Sequence, residues 1–396
     1  MQRFTAGEGA GDRCAMMART LFLQRMFDWL DDVVARRQAL GARAAWQCTR
    51  RFGILSAIAC PRGPEWHPHK ETSMVVRTRL VTAALVAGVA FASSAVAQDR
   101  VFFGIATGGT GGTYYPLGGM LAQLISNKVT IGGKKLAATA ETAGASVANA
   151  QLLARKDIES AFVAADILDA AYNGKGQFEG KPVKNLRALG ALYPEQVQLV
   201  TLASANVQNF KDLKGKSVSS GSPGSGQWQL LGDLLEAYGM TRKDIGEDLS
   251  SFTQSVDKIK DGNLVASLIT AGAPTSSVSD LANARDVRIV PLAGPEIEAL
   301  RKKQPYYASV QLPPNTYKGQ TAPVNTLAVM AIWATHDGVT DQMAYEVTKA
   351  LFENTETLGQ VHPKGKEISL KTALQSVSIP LHPGAEKYYR EKGLIK

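Results

Sequence analysis

Cysteine is scarce in this chain of 396 residues, and all three cysteines, Cys14, Cys48 and Cys60, lie before residue 98. Residues 99–396 therefore contain no internal disulfide, no thiolate metal site and no cysteine nucleophile. A segment of this length without cysteine is compatible with an oxidising compartment.

Histidine is nearly as scarce, since only His336, His362 and His382 follow residue 98, and their spacing is not that of metal ligands. The neighbours of His382 are typical of a proline-pinned turn. No Ser-His-Asp order or catalytic carboxylate pair is evident, and we expect structural roles for the single carboxylates Glu141 and Asp166. We therefore expect no metal, no cofactor and no enzymatic activity, with a cleft enzyme as a less favoured alternative.

A strong charge of one sign is also lacking outside the N-terminal part of the chain. The net charge is +9, but residues 1–98 hold 13 Lys/Arg and 7 Asp/Glu, which leaves 31 and 28 for the remainder. Residues 99–396 thus carry only +3, and we expect no nucleic-acid partner.

A secretory signal peptide is predicted at an internal position, residues 74–97. The basic start Met74–Arg79 is followed by the apolar run Leu80–Ala92. Ala95-Val96-Ala97 then supplies the small residues of a cleavage site. This order of segments favours export, and we expect the mature protein in the periplasm.

The internal signal has a consequence for the start of the protein. We expect Met74 to be the native start and residues 1–73 to be a mis-assigned, disordered upstream extension. An uncleaved membrane anchor at Leu80–Ala97 is the alternative, although this span is slightly short for a bilayer and contains two serines.

The most informative stretch follows directly, VFFGIATGGTGGTYYPLGGMLAQLISN from Val101 to Asn127. Val101–Ile105 is typical of a strand, Gly108–Thr113 of a loop, and the apolar spacing from Leu117 to Ile125 of a helix. Its glycines match neither the dinucleotide fingerprint nor a P-loop. Such a loop directs backbone N–H groups to a helix N-terminus, which is a suitable seat for an anion.

Two further glycine- and hydroxyl-rich loops, Thr142–Ser146 and Ser220–Trp228, also lie between a predicted strand and a predicted helix. Strands alternating with helices predict a mostly parallel sheet, with ligands outside the carboxyl ends of its strands. We therefore expect the loops to converge on one cleft, although each could be a plain turn that closes a βα unit.

The binding mode predicted from these loops uses dipoles and hydroxyls, because none of them contains Arg or Lys. Two tyrosines are expected to form a wall, and two side-chain amides to bind an amine or a second carboxylate. The backbone N–H groups expected to hold a carboxylate are those of Thr110, Gly111, Thr113, Ser225 and Gly226. The predicted ligand-binding residues are Thr110, Gly111, Thr113, Tyr114, Ser146, Asn149, Tyr193, Ser222, Ser225, Gly226, Gln227 and Gly272.

Connections between the two halves of the chain are also predicted. Leu186–Leu192 and Val197–Leu202 are interpreted as separate strands joined through Tyr193-Pro194-Glu195. Thr326–Thr335 is a long apolar run that would return the chain to its first half.

Taken together, these motifs resemble the TAXI class of solute receptors, the binding subunits of TRAP-type secondary transporters. The similar segments cover nearly all of residues 99–396. Val265 departs from the pattern, since family members usually have Asp there. The segments are GIATGGTGGTYYPLGGMLAQLI, ETAGASVANAQLLARKDIESAFVAADI, LYPEQVQLVT, DLKGKSVSSGSPGSG, TAGAP and IPLHPGAEKYYREKG.

The resemblance implies an α/β, two-domain periplasmic-binding-protein fold of type II, with hinge-linked lobes around a ligand cleft. Domain I would comprise residues 99–198 plus 329–396, and domain II residues 199–328. The resemblance further implies a TRAP membrane permease partner, a monomer, and a small carboxylate ligand such as glutamate or 2-oxoglutarate. A periplasmic module that feeds a sensor or signalling partner is the alternative, because it would need the same hinge and cleft.

Overall fold

The protein is described here by a computed structural model of residues 101–396. The predicted signal peptide and upstream extension lie outside the described residues. The strands are β1 Val101–Ala106, β2 Thr130–Ile131, β3 Lys134–Glu141, β4 Ser160–Ala164, β5 Leu186–Leu202, β6 Ser217–Ser219, β7 Gly246–Asp248, β8 Ala266–Ala271, β9 Val287–Val290, β10 Ala308–Leu312 and β11 Val324–His336. The α-helices are α1 Tyr114–Lys128, α2 Ser146–Arg155, α3 Ala165–Asn173, α4 Gln227–Ala237, α5 Phe252–Lys260, α6 Ser276–Ala284, α7 Pro295–Lys303, α8 Asp341–Phe352, α9 Thr355–Gly359 and α10 Pro383–Glu391.

The strands form one mixed sheet in the order β2-β3-β1-β4-β11-β5-β8-β6-β7, with β10 paired to β11 and β9 paired to β5. β1 is parallel to β3 and β4, and β6 is parallel to β7 and β8. The two central strands, β5 and β11, run antiparallel to each other. Parallel βα units thus flank a central antiparallel pair on both sides.

The central strand β5 is longer than the sequence predicted. It continues for 17 residues, so the predicted break at Tyr193-Pro194-Glu195 is wrong. Pro194 lies opposite Met330 of β11, next to an irregularity in the register of the pairing. Proline is tolerated in a strand at such a place because its missing N–H does not interrupt a regular ladder.

The sheet divides the described chain into two groups of elements around β5 and β11. We call β1 to α3 together with α8 to α10 the first lobe, and β6 to β10 with their intervening helices the second lobe. β5 pairs with β11 through its first part and with β8 from Gln196 onward, so it belongs to both lobes. This architecture confirms the predicted α/β, two-lobed periplasmic-binding-protein fold of type II, whereas the residue limits of the two domains stay a prediction.

The packing of α1 shows why the opening stretch folds as predicted. Leu117, Leu121, Leu124 and Ile125 are all buried, as their helical spacing indicated. They pack in a first-lobe cluster that also contains Trp333 of β11. Between residues 101 and 396, no helix has both the length and the apolar content to span a bilayer.

Candidate functional site

A cavity of about 330 Å³ lies between loops of the two lobes. The first lobe contributes residues 108–114 and the start of α2, and the second lobe contributes the loop before α4 and the start of α5. The central strands contribute Glu195 and Val329. A volume of this size is typical of sites for small molecules.

Most of the predicted binding residues are brought together at this cavity. Their role in binding a ligand stays a prediction. The predicted residues that line the cavity are Thr110, Gly111, Thr113, Tyr114, Ser146, Ser222, Ser225, Gly226 and Gln227.

Three predicted binding residues, Asn149, Tyr193 and Gly272, lie outside the cavity lining. The Asn149 amide is fully buried and donates to the carbonyls of Thr107 and Phe162, each at 2.8 Å, so that it joins α2 to the sheet. Gly272 is packed so tightly that an added Cβ would lie 3.0 Å from the Tyr193 ring. The structure therefore gives these residues packing and hydrogen-bond contacts outside the cavity lining.

The Gly-Thr loop of the first lobe makes direct hydrogen bonds to the second lobe. The Thr113 hydroxyl donates to the Gly272 carbonyl at 2.7 Å. The Gly111 carbonyl accepts from the Ser276 hydroxyl at 3.1 Å and from the Ser277 N–H at 3.3 Å. These bonds cross the cleft, so the described conformation has the two lobes in contact around the cavity.

The predicted anion donors are only partly available. Within residues 101–396, the N–H groups of Thr110, Gly111 and Thr113 have no acceptor, so they could bind a ligand. The predicted use of the Ser225 amide is wrong, because its N–H donates to the Ser222 carbonyl at 3.1 Å and closes a turn there.

The α2 N-terminus is occupied within the protein itself. The N–H groups of Val147 and Ala148 both donate to the Gly224 carbonyl of the second lobe at 3.0 Å. Unpaired N–H groups at a helix start are the ones that can bind an anion. The N-terminus of α2 thus connects the two lobes. The backbone N–H groups that are suited to an anion are those of the Gly-Thr loop before α1.

Four polar side-chain atoms around the cavity are buried without a partner in the part of the chain that the structure describes. They are Asp166 Oδ1, Ser225 Oγ, Gln227 Oε1 and Thr270 Oγ1. A buried polar atom without a hydrogen bond costs free energy, on the order of 1–3 kcal/mol. Because these atoms surround one space, a polar ligand in that space would supply the missing partners.

Two carboxyl groups line the cavity, and burial changes the pKa of both. Burial raises the pKa of Glu195 from 4.5 to about 8, against the lowering effect of the Tyr114 hydroxyl, which donates to Oε2 at 2.9 Å. Burial also raises the pKa of Asp166 from 3.8 to about 6, although the Tyr307 hydroxyl donates to its Oδ2 at 3.0 Å. Among the described residues, the lining includes no lysine, arginine or histidine.

Several lining residues were not predicted from the sequence. Asp166 was expected to be structural, and Glu195 was assigned only to the connection between two strands. The acidic Glu195 within a strand that is otherwise largely apolar was the available signal. Phe252 and Thr253 also line the cavity. They follow Ser251, whose capping box with Gln254 marks the start of α5 and could have been recognised in the sequence.

The histidines and acidic residues form no metal centre in the described range, because no group of three or more potential ligands is found there. His382 is the N-cap of α10, where its Nδ1 accepts from the Gly384 N–H at 3.2 Å. His362 contacts the Pro274 carbonyl at 3.0 Å. The structure thus gives these two histidines local contacts away from the cavity.

The fold and the cavity together define the class of protein, an α/β protein of the type II periplasmic-binding-protein fold with a small cavity between two lobes that β5 and β11 connect. Residues 105–393, well over half of the chain, match the NMT1-like family. The chain belongs to the NMT1-like family.

Several solved structures are similar in arrangement. The periplasmic aliphatic sulphonate binding protein SsuA from Escherichia coli is 15% identical with a TM-score of 0.42, and the match covers 74% of this chain and 78% of that one. A protein from Bordetella bronchiseptica RB50 is 13% identical with a TM-score of 0.47, covering 74% and 98%. A putative L-cystine ABC transporter from Listeria monocytogenes is 16% identical with a TM-score of 0.41, covering 68% and 98%. Because each of these TM-scores is below 0.5, no ligand or partner is transferred from these proteins.

Proposed function

We propose that this chain is an extracytoplasmic solute receptor, which captures a small carboxylate in the cavity between its lobes and delivers it to a TRAP-type membrane permease. The proposal includes the TAXI class, the periplasmic location, the domain limits at 198/199 and 328/329, and glutamate or 2-oxoglutarate as candidate ligands. It is a proposal of a binding protein, so the ligand should be released chemically unchanged.

The observation that carries the proposal is the set of unpartnered polar atoms around a cavity bounded by both lobes. A ligand that bonds to both lobes stabilises the state in which they are in contact over the state in which they are apart. β5 and β11 connect the lobes, so a small change in their backbone would let the cavity open. Closure around a ligand is the signal that a permease could recognise.

The receptor proposal is tested with the full chain expressed for export and purified without refolding. Small carboxylates and amino acids are added in a thermal-shift screen. A true ligand should raise the Tm further as its concentration increases. A screen in which none of them raises the Tm contradicts the proposed function.

The transport step needs a separate test. Deleting the gene should abolish uptake of the ligand identified in the screen, and restoring it should recover uptake. Unchanged uptake, together with loss of a ligand-dependent response, would instead indicate a sensor module.

A further inference from the structure

Asp166 is placed where both lobes meet the cavity. It lies in the first turn of α3 in the first lobe, and its Oδ2 accepts from the Tyr307 hydroxyl of the second lobe at 3.0 Å. Its Oδ1 is buried and has no partner within residues 101–396. The residue lines the cavity, so a ligand group can reach the carboxyl.

The charges around the cavity are unbalanced. Asp166 and Glu195 are close enough for the charge of Asp166 to raise the pKa of Glu195. The described lining supplies no cation to offset them. A buried carboxylate without a counter-charge is costly, so a cationic group on the ligand would be stabilised there.

The carboxyl groups of Asp166 and Glu195 differ in their protonation state near neutral pH. Burial raises the pKa of Glu195 to about 8, so this carboxyl stays mainly protonated and can donate a hydrogen bond. The pKa of Asp166 is about 6, so its carboxyl is mainly ionised. Asp166 is therefore the group that carries the negative charge.

The same cavity also suits a negative group. The N–H groups of Thr110, Gly111 and Thr113 have no acceptor within the described residues and lie before the N-terminus of α1. These amides can bind a carboxylate without a cationic side chain. A ligand with an ammonium group and a carboxylate would satisfy both parts of the site, whereas a plain dicarboxylate would place a further negative charge near Asp166.

We propose that Asp166 binds an ammonium group of the ligand and makes the site select an amino acid over the corresponding 2-oxo acid. This inference rests on the proposed receptor function and narrows its ligand class. Asp166 is thereby a specificity-determining residue, and the Gly-Thr loop is the carboxylate subsite.

The test compares matched ligand pairs that differ only in the amino or oxo group. The probes are L-glutamate with 2-oxoglutarate, L-aspartate with oxaloacetate, and L-leucine with 4-methyl-2-oxopentanoate, each titrated by calorimetry into the full chain. The variants are wild type, Asp166→Asn and Asp169→Asn. Asp169 is a matched control on the same helix, because it accepts from Tyr306 at 2.6 Å but does not line the cavity.

We expect wild type and Asp169→Asn to bind the amino acid of one pair at least tenfold more tightly than its 2-oxo partner. In Asp166→Asn this preference should fall at least tenfold, with the affinity for the 2-oxo acid unchanged or improved. Retained affinity for one partner shows that the variant is folded, and the ligand-free Tm checks this independently.

A wild-type protein that binds the 2-oxo acid as well or better overturns the inference and leaves the receptor proposal standing. An unchanged preference in Asp166→Asn also overturns it. If no compound in any pair binds wild type, and the wider screen also finds no ligand, the receptor function itself fails and this inference fails with it.

Discussion

At the scale of single residues, the cavity is defined by polar groups that the protein leaves without partners. Ser225 is the simplest case, because its N–H is used in a turn while its buried Oγ is unpartnered. Thr113 differs, since its hydroxyl already donates to Gly272 across the cleft. Residues that line one cavity thus differ, since Thr113 forms a bond across the cleft and Ser225 leaves its hydroxyl without a partner in the described protein.

Replacement of Ser225 by alanine should weaken ligand binding directly. The variant loses one hydrogen bond to the ligand, which costs about 1 kcal/mol and lowers affinity roughly fivefold. The ligand-free Tm should not fall, because the removed hydroxyl has no partner in the described protein. Calorimetry with the ligand found by the thermal-shift screen measures the change.

The control for this prediction is Ser309→Ala, which removes an exposed hydroxyl on β10 away from the cavity. Its affinity should equal that of wild type. An affinity for Ser225→Ala within error of this control would remove Ser225 from the site.

Glu195 should make the stability of the ligand-free protein depend on pH. Burial raises the pKa of this carboxyl from 4.5 to about 8. An acid with a raised pKa in the folded state binds a proton on folding, so its contribution to stability is present at low pH and is lost as the pH rises toward the folded value. The Tm should therefore fall as the pH rises from about 4.5 to about 8, and Asp166, whose pKa is raised to about 6, adds to this fall at the acidic end of the range.

Glu195→Gln is the variant that tests this pH dependence. The glutamine oxygen can still accept from the Tyr114 hydroxyl, but the side chain cannot ionise. The fall in Tm over the same pH range should be smaller than in wild type, as measured by differential scanning fluorimetry. Parallel curves for the two proteins would show that Glu195 does not titrate as described.

At the scale of elements, the Gly-Thr loop closely approaches α5 and α6 of the second lobe. A Cβ added at Gly111 would lie 2.5 Å from Thr253 Oγ1 and 3.2 Å from Ser277 Cβ, both in the second lobe. A Cβ at Gly109 would meet nothing within 4 Å. Gly111 therefore permits the contact between lobes, whereas Gly109 does not take part in it.

Gly111→Ala should keep the lobes apart and weaken binding about tenfold, which corresponds to roughly 1.4 kcal/mol. Gly109→Ala is the matched control and should bind within about twofold of wild type. Both variants are measured by calorimetry with the same ligand. Equal affinities for the two variants would contradict closure through this contact.

The elements also show how far the sequence could predict the site. β1, the Gly-Thr loop and the buried face of α1 follow from local patterns, and nine of the twelve predicted binding residues line the cavity. The continuous strand β5 could not be read locally, because its partners β8 and β11 lie far along the chain. The role of Asn149 could not be read locally either. Its amide donates to backbone carbonyls of β1 and β4, which only the folded chain brings near it.

At the scale of the whole molecule, β5 and β11 join two lobes that meet around one polar cavity. Under the proposed function, ligand binding and closure are linked equilibria, because the groups that line the cavity come from both lobes. Two acidic groups and the uncharged Gly-Thr loop line the cavity. Together they determine which charged groups a molecule in the closed cavity can carry. The central claim is that a small carboxylate-bearing molecule occupies this cavity.

Native mass spectrometry of the exported protein, purified without refolding, tests that claim most directly. Wild type and Gly109→Ala should each carry one bound molecule whose released mass is that of a small carboxylate or amino acid. Gly111→Ala, with its affinity about tenfold lower, should carry less of it after the same purification. A wild-type protein without a bound molecule that also fails to take one up from the carboxylate and amino-acid panel, or equal occupancy in all three proteins, would contradict the account.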